Sequence, residues 1–190
     1  MIDVYAIHGA FSSPRMFNYL VHRMGRSYRW HFLDYSSMTG GLDSITASIS
    51  EQQRPCHVVG HSMGGLIAID IAHRPWVCSI TTISTPLGGI DISMMQGYLS
   101  RSSFLIDIAS HGNYIRRIKD ASVSKPIQHI ISGSGFNPFI YEPNDGVVTL
   151  RSQQSSTKGT VHVLDANHIE VMLLPRTVQL LENFWTSPVL

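Results

Sequence analysis

Short apolar runs alternate along this chain with stretches whose apolar residues recur at helical spacing. Residues 2–8 form the first run and predict a strand. Phe17, Leu20, Val21 and Met24 then fall at i, i+3, i+4 and i+7, one face of a helix. Ser12-Ser13-Pro14 ahead of them reads as a cap followed by proline at the first helical position. Residues 28–35 predict a second strand, and Leu42, Ile45 and Ile49 line a second helix. Residues 55–60 predict a third strand, with Pro55 at the tolerated edge position. Residues 64–72 are apolar almost all round, the pattern of a buried helix. Three further strands are expected over 77–84, 126–132 and 159–164. A closing helix over 175–185 has Val178, Leu181, Phe184 and Trp185 facing in.

This alternation implies an α/β fold: a mostly parallel central sheet of about six strands with helices on both faces. Strands that are continuous apolar runs, such as residues 77–83, suit a sheet covered on both sides. The 190 residues are expected to form a single domain over 1–190. The rhythm breaks at about 88–125, which lacks a clear strand and is rich in Ser, Met and Gly. It is expected to be a cap-like excursion with one or two helices.

Composition narrows the function by exclusion. Lys+Arg 14 against Asp+Glu 13 gives a net charge of +1, and no basic run is present, so no field is available to hold nucleic acid. No stretch approaches the ~18 uncharged apolar residues of a transmembrane segment. The first residues lack a basic region followed by an apolar core, so no signal peptide and a cytoplasmic setting are expected. Cys56 and Cys78 each sit in a β-branched run, which suits thiols in a reducing compartment. Of the ten histidines, none falls in an HExxH pattern or in a Cys/His cluster at zinc spacing. His57 and His61 are four apart but on a strand, so no metal is expected. Function must reside in a local site.

One candidate is sharp. Gly60-His61-Ser62-Met63-Gly64 fits G-x-S-x-G, directly after one expected strand and directly before the buried helix. The turn must be tight to push a serine hydroxyl out over the sheet edge, and flanking glycines remove side chains that would clash there. The following helix aims its N-terminus at Ser62 and favours developing negative charge. Met63, the residue after the nucleophile, supplies one oxyanion donor through its N–H. His61 lies on the strand side, and its ring is expected to point away from the attacking oxygen as structural support.

With His8-Gly9-Ala10-Phe11 after the first strand, GHSMGG after the third and Ser84-Thr85-Pro86-Leu87-Gly88 after the fourth, the chain resembles the α/β-hydrolase superfamily. The pattern is similar to small bacterial lipases and esterases and to the PGAP1-like lipase group. The resemblance runs in order along nearly the whole chain and is close only in these short motifs. It implies the α/β-hydrolase fold in a minimal version lacking the N-terminal hairpin. It also implies that Ala10 donates the second oxyanion N–H and that Phe11 lines the acyl pocket.

The superfamily order is nucleophile, acid, histidine. Asp145, in Pro143-Asn144-Asp145-Gly146-Val147-Val148, lies just past the strand after the excursion and resembles the acid loop of lipases; Asp120 is the reserve choice. His168 follows the last strand in Asp165-Ala166-Asn167-His168 and is the expected base, with Asp165 as a support residue. The expected reaction is hydrolysis of a carboxylic ester through an acyl-enzyme, with no cofactor. The expected partner is a small-molecule acyl ester, lipids included, and no nucleic acid; the oligomeric state is open. Apolar residues suited to an acyl chain are Phe11, Phe17, Met63 and Leu87, and Leu99, Phe104 and others of the excursion. A thioesterase or amide-type acyl hydrolase would use the same residues. A catalytically silent binding protein of this fold is a third reading, against which the intact Ser, Asp and His argue.

Overall fold

In the computed structural model, residues 1–38, 40–91, 103–155 and 158–187 are described. Six strands, β1 (Ile2–Ile7), β2 (Tyr28–Leu33), β3 (Cys56–His61), β4 (Val77–Ile83), β5 (Ile127–Ser132) and β6 (Thr160–Leu164), form one sheet in the order β2-β1-β3-β4-β5-β6. Every neighbouring pair is parallel, as the near-continuous apolar runs require. Each strand lies within about two residues of its expected span.

Alternation along the strands sorts side chains to two faces. On one face Tyr5, Ile7, Val58 and Ile80 pack under α2 (Leu42–Ser48) and α3 (Met63–Asp70). On the other, Val4, Ala6, Val59, Ile83 and Ile130 pack under α1 (Asn18–Met24) and the C-terminal helix Pro175–Thr186. The chain enters α1 through a 3-10 turn, Pro14–Phe17. Proline sits at the first position as expected, but Ser13 makes no capping bond through its side chain.

The excursion does much of its packing in the core. Its described part forms α4 (Ser103–Asp107) and α5 (Asn113–Asp120). Leu105, Ile108, Tyr114, Ile115 and Ile118 are all buried on the α2/α3 side of the sheet. The Tyr114 hydroxyl donates to Asp70 Oδ2 at 3.0 Å, and Arg117 pairs with Asp43 at 2.6 Å and Asp70 at 3.1 Å. Ile92, Met94, Met95, Tyr98 and Leu99 lie outside the described residues.

This topology sets the place of the site. The strand order reverses between β1 and β3, and the loops leaving the carboxyl ends of these two strands flank the crevice where open α/β sheets bind ligands. They are the loops that carry His8-Gly9-Ala10 and Ser62.

A long-range bond caps the start of α2. Gly41, at the start of α2, has no side chain to cap the helix, and Asp107 Oδ2 accepts the Leu42 N–H at 2.7 Å instead. Asp107→Ala should lower the free energy of unfolding by about 1–2 kcal/mol, and Asp107→Asn by less because an acceptor oxygen remains. Urea unfolding of the two variants checks this.

Candidate active site

Ser62 sits between β3 and α3 with φ 53° and ψ −126°, a backbone conformation that costs a non-glycine residue about 1–3 kcal/mol. Two bonds hold it there: the Ser62 N–H donates to Ile83 O at 2.8 Å, and Gly65 N–H donates to Ser62 O at 3.0 Å. The flanking glycines explain the tightness. A Cβ on Gly64 would overlap the Ile7 carbonyl, and one on Gly60 would overlap the backbone of Gly64. The turn is thus wedged against the end of β1. Met63 opens α3, so its N–H belongs to the first turn, where no intrahelical acceptor exists.

The loop after β1 lies against Ser62. A Cβ on Gly9 would stand 3.0 Å from Ser62 Cβ. The loop carbonyls are tied down: His8 Nδ1–H donates to Gly9 O at 2.8 Å, and the Tyr35 hydroxyl donates to His8 O. The Tyr35 ring stacks on the His8 ring at 4.0 Å between centroids. Burial pushes the His8 ionisation down, so its ring stays neutral and structural. Ala10 is half-buried, and Phe11 (φ 54°) is 74% exposed with its ring edge-on to Phe104 at 5.3 Å. Of the other expected pocket residues, Leu87 is buried in the core on the α3 side and Leu99 is outside the described residues.

Asp145 and His168 come together. His168 Nδ1–H donates to Asp145 Oδ2 at 2.7 Å, and His168 N–H donates to Asp145 O at 2.9 Å. That tautomer leaves Nε2 as the ring's acceptor. Both side chains are buried. Burial alone would raise the Asp145 ionisation. The bond and charge of His168, with donors from Ser132 and Val148, outweigh it and hold the carboxyl below the usual range.

His61 joins the two halves of the site. Its Nε2–H donates to His168 O at 2.8 Å, and the two rings lie 4.8 Å apart. This is the supporting role expected of it, with a definite partner. Complete burial, and then the neighbouring His168, push its ionisation down to about 3. Its Nδ1 is buried without a hydrogen-bond partner among the described residues. The Ser62 hydroxyl makes no side-chain hydrogen bond among the described residues.

Other candidates stand apart. Asp120 is exposed at the end of α5. Asp165 is exposed as well, and the His168 segment is braced instead by Asn167 Oδ1, which accepts the N–H groups of Ile169 and Glu170 at 3.0 and 2.9 Å. Three residues to which the sequence reading gave no role at the acid position converge behind Asp145: Ser84, quoted there only as part of a motif, Ser132 and Gln153. A serine closing the apolar run of β5 is a faint signal for Ser132; the other two carry none. Among the described residues no three His, Cys, Asp or Glu side chains converge as a metal site would need. No described helix is long and apolar enough to cross a membrane.

A family model described as "Alpha/beta hydrolase family" matches residues 4–129. That family is broader than the PGAP1-like lipase group that the motifs resemble. No curated protein sequence is significantly similar to the chain. Solved structures are similar in fold. Bacillus licheniformis lipase BlEst2 in mature form is 13% identical with a TM-score of 0.66, over 98% of this chain and 92% of that one. The thioesterase domain from the curacin biosynthetic pathway is 18% identical with a TM-score of 0.63, over 98% and 91%. Est816, an N-acyl homoserine lactone degrading enzyme, is 12% identical with a TM-score of 0.68, over 97% and 93%.

The buried histidines make stability depend on pH. His8, His57, His61, His129 and His162 all have ionisations depressed by burial, His57 to about 4 and His61 to about 3. The unfolded chain binds these protons first, so their contribution is complete above about pH 6.5 and is lost as pH falls toward the folded values. Asp145 acts lower, below about pH 4, because its folded ionisation is the depressed one of a carboxyl. Between pH 7.5 and 5, His61 alone should remove about 2 kcal/mol. Urea unfolding at the two pH values should show the loss, and His61→Gln should reduce the difference.

Proposed function

The chain belongs to the alpha/beta hydrolase family, and from that premise we propose that it is a serine hydrolase of carboxylic esters. Ser62 Oγ attacks the acyl carbonyl while His168 Nε2 accepts its proton, and Asp145 holds the tautomer and steadies the imidazolium. The N–H groups of Ala10 and Met63 receive the oxyanion, in a position where losing one donor typically costs ~10²–10³ in turnover. His168 then protonates the leaving alcohol, and water releases the acyl group. Serine–histidine bonds of this kind are often long before substrate arrives.

The observation that carries this reading is the buried 2.7 Å pair of His168 and Asp145, linked through His61 to a serine on a strained strand-to-helix turn. Structural ion pairs do not require a strained serine beside them, whereas acyl transfer requires both. The acyl side is assigned to Phe11 and Phe104, whose edge-to-face contact brings the oxyanion loop and the excursion together. The lipase and thioesterase names among the structural neighbours are in keeping with acyl chemistry. Thioesters stay within reach of the same residues.

A panel of p-nitrophenyl esters and acyl thioesters tests the proposal. The protein should hydrolyse at least one class and be labelled at Ser62 by a fluorophosphonate. Ser62→Ala should fold normally and lose more than 99% of the turnover, leaving about a hundredth or less. Retention of more than that, or an unlabelled and inactive wild type, overturns it.

The acyl assignment has its own check. Each methylene buried against Phe104 is worth ~0.8 kcal/mol, so Phe104→Ala should lower kcat/KM for long-chain esters several-fold more than for acetate. A uniform loss across chain lengths would make Phe104 a packing residue only.

A further inference from the structure

The Asp145 carboxylate accepts five hydrogen bonds. Two reach Oδ1 from its own turn, the N–H groups of Val147 at 2.9 Å and Val148 at 2.7 Å. Three converge on Oδ2: His168 Nδ1 at 2.7 Å, Ser132 Oγ at 2.6 Å and Gln153 Nε2 at 3.1 Å. Gln153 lies on a short helix, α6 (Leu150–Gln153), and is 1% exposed. The proposed reaction makes no use of it.

Its amide can face only one way. Gln153 Oε1 accepts the Ser132 N–H at 3.1 Å, and Nε2 donates to Ser132 O at 2.9 Å as well as to Asp145. A flipped amide would set its oxygen against a carbonyl and a carboxylate and leave the Ser132 N–H unpaired. The Ser132 hydroxyl is oriented in the same way. It donates to Asp145, so Ser84 Oγ, 2.6 Å away, must be its donor.

We infer that Gln153 is a positioning residue for the acid: its amide, with the Ser132 hydroxyl, selects Oδ2 as the oxygen that meets His168 and sets how much of its charge the histidine feels. The inference rests on the reading of Asp145 and His168 as acid and base. Three donors share one oxygen, so withdrawing a neutral donor returns charge to the His168 bond. Among the described residues the titratable groups facing His168 are Asp145 and the neutral His61, with His8 beyond His61.

The test is the titration of His168, followed by NMR in protein labelled at histidine with ¹⁵N, alongside ester turnover. Loss of the signal in His168→Gln assigns it. In Gln153→Leu, which removes the donor, the His168 ionisation should move up by about half a pH unit, and the acid limb of kcat/KM should move with it. Gln153→Leu should lower kcat by about tenfold or more with KM unchanged. If Gln153→Leu does not fold, Ser132→Ala removes the other neutral donor and should shift His168 in the same direction. A His168 titration at its wild-type position in these variants overturns the inference, even where Tm falls, and so does an unchanged kcat in Gln153→Leu. A wild type without turnover defeats the proposed function by itself; the NMR shift still decides whether Gln153 governs the Asp145–His168 pair.

Discussion

A carboxylate can keep its charge away from water only where hydrogen-bond donors replace the water it has lost. Asp145 is 1% exposed, and its donors come from the end of β5, from α6, from its own turn and from the His168 segment. They are assembled around one carboxylate, and the geometry that satisfies its charge also presents His168 Nδ1–H to Oδ2. Electrostatic satisfaction and the alignment of Asp145 with His168 are here the same set of bonds.

The serine half of the site is governed by sterics. Parallel strands end at a common edge, and the reversal of strand order between β1 and β3 opens a crevice there. The turn that carries Ser62 fits against the end of β1 because Gly60 and Gly64 have no side chains, and the Ser62 N–H is held by the last residue of β4. His61 connects this half to the other, since it ends β3 beside Ser62 and bonds the carbonyl of His168. Its burial keeps it neutral, so it holds His168 without adding a charge next to it.

Much of this was legible in the chain. The strands were visible because each is an apolar run bounded by turn residues, and the serine because its glycines are required within two residues of it. The candidate acid and base followed from the order of nucleophile, acid and histidine that the resemblance implies, placed on the loops after β5 and β6. The excursion was harder to read. Its apolar residues looked suited to a wall of the site, yet those of α4 and α5 mostly fill the core under the sheet, and Phe104 reaches Phe11 on the loop after β1. An apolar residue on a helix announces that it will be buried, but it does not announce against what.

The sequence by itself determined the order of strands and helices, the turn at Ser62 and the stretch in which each expected member of the site lies. These depend on periodicity, on glycine and on proline, all of which act over a few neighbouring residues. Only the tertiary structure decided which polar side chains meet. Gln153 and Ser132 lie 8 and 13 residues from Asp145, Tyr35 lies 27 from the loop it clamps, and His61 lies 107 from the residue it holds. A hydrogen bond leaves no periodic trace along the chain, because its partners are chosen by where the sheet and its crossovers bring them.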